Sequence, residues 1–277
     1  MTLSLDEKTI SKYRDDGFFE VHGVFAPDQV GRWLQAWYDL RRNIEDGISQ
    51  LTRNDRFIVG SLPPPLGSIF TVPPLVHIAQ QILGPDVALY FTRLLVKDGR
   101  WNGAVALHQD MPYFHGGQNK LCIFLPLTPF NPRNGCINFI RGSHKFGNVG
   151  IRGTILHSEF PNLTIAAPEL EVGDILLCDF LTWHFSEAAT VFEDRPLLQI
   201  VYQPASDGSY FGTPDEPTLV SGHWRTSLFN KYGTGITPDS APPGPDLTAS
   251  EVFEPRATLS PDSKRRYRRF FVFGTRK

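Results

Sequence analysis

Val105-Ala106-Leu107-His108-Gln109-Asp110-Met111 decides how this chain is read, together with the distant Trp183-His184-Phe185-Ser186. In extended β-structure, alternate side chains point to one face, so His108 and Asp110 reach one point. A second strand carrying His184 closes a three-ligand face around a metal. Two histidines and one carboxylate with open positions form the arrangement of non-haem Fe(II) oxygenases. Composition alone yields about one His-x-acid triplet in such a chain. The second here is His157-Ser158-Glu159. The first triplet ends a strand-like run, whereas the second lies between Gly153 and Pro161 in a poorly patterned connection. The metal is therefore assigned to His108, Asp110 and His184.

Outward from this stretch the chain reads as mainly β. Val87–Val96 is a long strand, and further strands are expected at 104–110, 120–127, 136–140, 164–170, 174–179, 181–188 and 196–203. Gly, Pro, Asn and Asp punctuate the gaps. Many strands without intervening helices favour a sandwich or barrel. A double-stranded β-helix, the cupin-type jelly roll, fits the count. Helices precede it. Ser4-Leu5-Asp6-Glu7 fits a capping box for a helix that stops near Gly17, and Phe18–Val21 follows as a short strand. Pro27 opens a second helix with an apolar stripe of Val30, Trp33, Leu34, Trp37, Leu40 and Ile44. Residues 48–72 read as irregular. Val76, Ala79, Ile82 and Leu83 mark a third helix, closed by Gly84-Pro85. The chain is thus expected to form one domain over 1–277: a helical part at 1–86, a jelly-roll core at 87–204 and a lid loop at 205–262. The last stretch is rich in Gly, Pro, Ser and Thr, with isolated aromatics, among them Trp224. A surface wrap away from substrate is the other reading of it.

The formal charge of −2 offers no bulk attraction to nucleic acid or membrane. The basic run Lys264–Arg269 reads as a solvated face. Three cysteines in apolar runs suggest buried thiols in a reducing compartment. Neither a signal peptide nor a spanning segment is visible, so a cytoplasmic location is expected.

Arg195 follows His184 by eleven residues. If 181–188 and 191–203 form a hairpin, His184 and Arg195 are cross-strand partners. A bidentate grip on a carboxylate and a structural ion pair with Glu193 or Asp194 suit this arginine equally. With a three-ligand metal one strand away, the first suggests a dicarboxylate such as 2-oxoglutarate.

The chain resembles the phytanoyl-CoA dioxygenase-like family of Fe(II)- and 2-oxoglutarate-dependent oxygenases from about Leu83 to Gln203. Leu83-Gly84-Pro85-Asp86, Leu94-Leu95-Val96-Lys97, His108-Gln109-Asp110, Asn134-Gly135-Cys136 and Arg141-Gly142-Ser143-His144 carry the resemblance. Gly173-Asp174, His184-Phe185-Ser186 and Arg195 complete it. The resemblance implies that His108, Asp110 and His184 bind iron and that Arg195 takes the distal carboxylate of 2-oxoglutarate. Ser186 assists Arg195, while Arg93 and Gln109 lie in the co-substrate neighbourhood and His144 is structural. Arg141 stands where proline is usual, Ala189 where asparagine is common, and Ala106-Leu107 where Pro-Trp is frequent. These departures argue against carrying over any member's substrate. Asp110 itself favours hydroxylation or a related C–H oxidation over halogenation, since related halogenases carry a small residue there.

The expectation is therefore an enzyme using Fe(II), 2-oxoglutarate and O₂ on a small-molecule substrate, with succinate and CO₂ released. Tyr113, Phe114, His115, His157 and Trp224 are the candidates to face that substrate. A non-catalytic cupin-like binding or sensor protein and a zinc hydrolase are the rivals; the first need not keep an open metal face, and the second does not need Arg195 so placed.

Overall fold

Why the helices stop where they do is local. The computed structural model describes residues 3–53, 57–59, 61–114, 116–149, 164–191, 193–207, 218–224, 228–229 and 235–236. Helix α1 (Glu7–Asp16) is capped by Asp6, whose carboxylate accepts the Thr9 N–H at 2.7 Å. Ser4, expected in that role, instead meets the Gln81 amide; a carboxylate at the positive end of the helix is the stronger cap. Gly17 ends α1 at φ 83, and a Cβ there would come within 2.4 Å of the His144 ring. Strand β1 (Phe18–Val21) and helix α2 (Pro27–Glu45) follow as expected, with Val30, Trp33, Trp37 and Leu40 buried. Within 48–72 the structure adds a small hairpin, β2 (Thr52–Arg53) with β3 (Ile58–Val59). Helix α3 (Pro73–Leu83) buries Leu75, Ile78 and Ala79, and Ile82 and Leu83 of the expected stripe pack partly buried against the same core.

The strands are β4 (Val87–Lys97), β5 (Val105–His108), β6 (Leu121–Pro126), β7 (Ile137–Ile140) and β8 (Ile165–Ala166). After them come β9 (Ile175–Asp179), β10 (His184–Ser186), β11 (Arg195–Pro204) and β12 (Thr218–Ser221). They form two antiparallel sheets, a large one in the order β1-β9-β6-β11-β4-β12 and a small one in the order β5-β10-β7-β8. Alternation along β11 decides what each face meets. Leu198, Ile200 and Tyr202 join the core shared with the helices. Leu197 and Val201 join a second core with Phe124, Leu176, Ile137 and Phe139, drawn from both sheets. The fold is a double-stranded β-helix with N-terminal helices against the outer face of its large sheet. Cys122, Cys136 and Cys178 are buried free thiols.

The chain divides into two units, Met1–Ser227 and Leu228–Lys277. The described part of the second is the pair β13 (Leu228–Phe229) and β14 (Gly235–Ile236). Within the expected lid stretch, β12 instead extends the large sheet along β4, with Thr218 opposite Leu89 and Ser221 opposite Val87. An open strand edge is a template for pairing, which explains the capture. Most of 205–262 lies outside the described residues, as does the basic run. No described helix is long and apolar enough to cross a membrane.

Asp98, at the end of β4, anchors the β2 edge. Arg53 grips it through two nitrogens at 2.6 and 2.9 Å, and the Arg100 and Trp101 N–H groups donate to it as well. Burial pushes this carboxyl up, but the Arg53 fork and the backbone donors outweigh it and hold it at about 2. Its folded value lies below its unfolded one, so the stabilisation is full above the unfolded value and fades as pH falls through the folded one. Asp98→Asn is expected to cost about 2 kcal/mol at neutral pH. Urea midpoints of variant and wild type should converge as pH is lowered from about 5 toward 2. A constant gap across that range would refute the assignment.

Candidate metal centre

His108 ends β5 and His184 opens β10, and the two are cross-strand partners in the small sheet. Their ring centroids lie 4.2 Å apart. Each ring is aimed by the backbone two residues before it. His108 Nδ1 meets the Ala106 carbonyl at 2.8 Å and His184 Nδ1 meets the Thr182 carbonyl at 2.9 Å. A carbonyl only accepts, so Nδ1 carries the proton and Nε2 keeps its lone pair for a metal. Such partners fix ring orientation and tautomer.

Asp110 does not share the strand with His108. It lies two residues beyond β5 with φ −74 and ψ −41, capping a 3₁₀ turn at Met111–Tyr113. Pro112 in the first positions of that turn suits it to a turn rather than to a continuing strand. The bend still brings the carboxylate back, with Oδ1 3.8 Å from His108 Nε2. One ligand atom each from His108, Asp110 and His184 all lie within 4.8 Å of one another. It is the one such group among the described residues; His157 and Glu159 lie outside them.

The downstream histidine is positioned by the Arg141–His144 block. Gly142 adopts φ 71, and the Ser143 hydroxyl accepts the Trp183 N–H at 2.8 Å while donating to the Ile140 carbonyl. That ties the start of β10 to the end of β7. His144 Nε2 faces the Arg14 carbonyl at the end of α1, away from the metal group.

The hairpin expected between 181–188 and 191–203 does not form. Strand β10 pairs with β5 and β7, whereas β11 pairs with β4 and β6, so His184 and Arg195 belong to opposite sheets. The reason is burial: the chain changes sheets between Ser186 and Arg195, and each strand then pairs where its apolar face is covered. Arg195 faces Lys97, whose Nζ donates to the Glu187 carbonyl. Arg195 shares the inward face of β11 with Leu197 and Gln199, roughly 13 Å along the strand from the latter. It is 4% exposed, with its guanidinium 5.1 Å from the Phe130 ring. Nε and Nη1 are buried with no hydrogen-bond partner among the described residues. Burial lowers its pKa to about 10. Asp194, the carboxylate next to it, pairs instead with Arg41. Ser186 Oγ, two residues after His184, is likewise buried without a partner.

Gln199 is the residue that sequence reasoning missed. Its Nε2 donates to Asp110 Oδ2 at 2.9 Å, and its Oε1 accepts from Arg93 Nε at 2.5 Å. The available signal was a glutamine inside the apolar run Leu197-Leu198-Gln199-Ile200-Val201, since buried amides demand partners. Arg93 thus lies beside the metal group. Gln109, expected near the co-substrate, points the other way. Its amide donates to the Gly147 and Leu181 carbonyls and accepts the Val149 N–H, which makes it a backbone staple. The alternation that turns His108 inward turns its neighbour outward.

Tyr113 is 52% exposed with its ring centroid 6.1 Å from that of His108. Phe114 stacks on Phe91 and lines an aromatic wall with Tyr90 and Phe180. Trp224 follows β12, whose last residue lies opposite Val87, and the neighbouring His223 N–H donates to Asp86 Oδ1 at 2.8 Å. His115 lies outside the described residues.

A family model described as phytanoyl-CoA dioxygenase matches residues 13–191. An ectoine dioxygenase of Bordetella parapertussis is 28% identical over 156 residues, which are 52% of this chain and 50% of that protein. Another from Streptomyces avermitilis is 24% identical over 272 residues, 89% of this chain and 86% of that protein. The chain spans about half the length of most curated relatives it matches. Among solved structures, the non-heme alpha ketoglutarate dependent carbocyclase SnoK from nogalamycin biosynthesis superposes with TM-score 0.65 at 19% identity, covering 79% of this chain and 95% of that one. EctD from S. alaskensis with 2-oxoglutarate and 5-hydroxyectoine gives TM-score 0.65 at 19% identity, covering 79% and 84%. At such identities these likenesses establish the fold.

Proposed function

We propose, since this chain belongs to the phytanoyl-CoA dioxygenase family, that it is an Fe(II)- and 2-oxoglutarate-dependent oxygenase oxidising a C–H bond of a small molecule. The observation that carries this is the buried guanidinium of Arg195, whose Nε and Nη1 have no hydrogen-bond partner among the described residues. A buried cation without a counter-charge is expensive, and an incoming carboxylate repays that cost with charge-assisted hydrogen bonds. The donor set suits the metal as well, with two neutral imidazole nitrogens and one carboxylate oxygen. His108, Asp110 and His184 would hold iron. Arg195, with Ser186, would take the far carboxylate of 2-oxoglutarate.

When bound, iron with 2-oxoglutarate and O₂ supplies the oxidising power, and the co-substrate leaves as succinate and CO₂. The chain's own residues orient and enclose. The Ala106 and Thr182 carbonyls hold the imidazole tautomers, and Gln199 holds Oδ2 of Asp110. Tyr113, exposed with its ring centroid 6.1 Å from that of His108, would touch a substrate, and Phe114 would help to keep water out. A zinc hydrolase needs no buried arginine for a dicarboxylate, and a binding protein need not keep an open metal face.

The test is formation of succinate from 2-oxoglutarate with Fe(II) across a panel of small metabolites. Succinate should depend on both oxygen and iron and should rise above the substrate-free rate for at least one compound. Absence of oxygen-dependent succinate under every condition would refute the proposal.

A further inference from the structure

Arg93 reaches the site through the Gln199 amide, and the geometry points to it as a positioning residue for the Asp110 carboxylate. The inference rests on the oxygenase reading above. Arg93 and Gln199 are cross-strand partners on β4 and β11. A guanidinium donates and never accepts. The Gln199 atom that faces Arg93 Nε at 2.5 Å is therefore Oε1. That choice turns Nε2 toward the carboxylate, where it donates to Asp110 Oδ2 at 2.9 Å and to Cys122 Sγ at 3.4 Å. The flipped amide would set Oε1 against carboxylate and sulfur, and N–H against N–H. Arg93 thus decides which end of Gln199 Asp110 meets.

The consequence falls on Asp110. With Oδ2 engaged by Gln199, Oδ1 on the His108 side is the oxygen left to bind a metal. A carboxylate held to one oxygen keeps a further coordination position open. Arg93 is itself held in place, with its guanidinium carbon 4.7, 5.0 and 5.6 Å from the Phe57, Phe91 and Phe114 ring centroids. Gln199 is 1% exposed, so water does not compete for its amide.

The probe is Co(II), bound anaerobically and followed by calorimetry and by visible absorption of the bound ion. Arg93→Met should weaken Co(II) binding about 10- to 100-fold and alter the spectrum. Arg93→Lys should keep the wild-type spectrum, because an ammonium is also a pure donor. Gln199→Leu should cost about as much as Arg93→Met. The double variant should lose no more than Gln199→Leu alone, since no amide remains to be oriented. Losses that add in the double variant, or an unchanged Co(II) affinity and spectrum in Arg93→Met, overturn the inference. So does a fall in 2-oxoglutarate affinity with Co(II) binding intact, which would make Arg93 a co-substrate ligand. Should Arg93→Met fail to fold, Arg93→Gln takes its place in the same cycle and is read by the same criteria. Wild-type protein that bound no Co(II) would sink the oxygenase reading too, whereas normal wild-type binding with additive losses sinks this inference alone.

Discussion

Asp110→Ala and His184→Ala are each expected to abolish turnover and to remove tightly bound iron, while the protein stays folded. Each change deletes one of three ligand atoms within 4.8 Å of one another. The loss of metal affinity should exceed the roughly 10- to 100-fold that outer partners cost. The structural damage is smaller. In Asp110→Ala, Gln199 Nε2 loses its carboxylate and retains Cys122 Sγ, which costs about 1–3 kcal/mol. In His184→Ala a space opens beside Phe139 and Phe124, whose ring centroids lie 5.9 and 6.3 Å from the imidazole. Metal analysis after anaerobic loading, with thermal unfolding in parallel, separates lost ligation from lost fold. His157→Ala and Glu159→Ala should keep their iron. Iron lost from that pair and kept by Asp110→Ala would move the centre to the second triplet.

Arg195→Lys should raise the 2-oxoglutarate dissociation constant strongly and leave metal affinity nearly unchanged. A guanidinium offers a carboxylate two parallel hydrogen bonds, whereas lysine offers a point charge on a different stem. Losing one charge-assisted contact in a buried site costs on the order of 2–4 kcal/mol, or roughly 30- to 1000-fold in affinity. The arginine belongs to the large sheet and both histidines to the small one, so the substitution should leave the metal group in place. Calorimetric titration of 2-oxoglutarate into metal-loaded protein without oxygen measures the difference. As a second readout, 2-oxoglutarate should raise the unfolding temperature of the wild type and much less that of the variant. Equal affinities, or no binding to the wild type, would remove the central support of the proposed function.

What the sequence determined by itself was whatever is written in neighbouring residues. Gly17 and Gly84 close helices because a residue there must leave helical geometry, and the Val30–Leu40 stripe buries itself because its period is helical. Alternation and turn residues marked most of the strands, the spacing of His108 to Asp110 with the distant His184 and Arg195 marked the candidate site, and the family resemblance added Ser186. Its assembly was decided only by tertiary structure. His184 pairs with His108 rather than with Arg195 because the chain changes sheets between Ser186 and Arg195. Gln109 and Asp110 are neighbours in sequence, yet one staples backbone and the other faces His108. The burial of Arg195 with Nε and Nη1 unbonded among the described residues, and the hold of Gln199 on Asp110, follow from packing between residues tens of positions apart. Strand register follows from which face is buried against which, a property of the assembled sheets that no window of sequence contains.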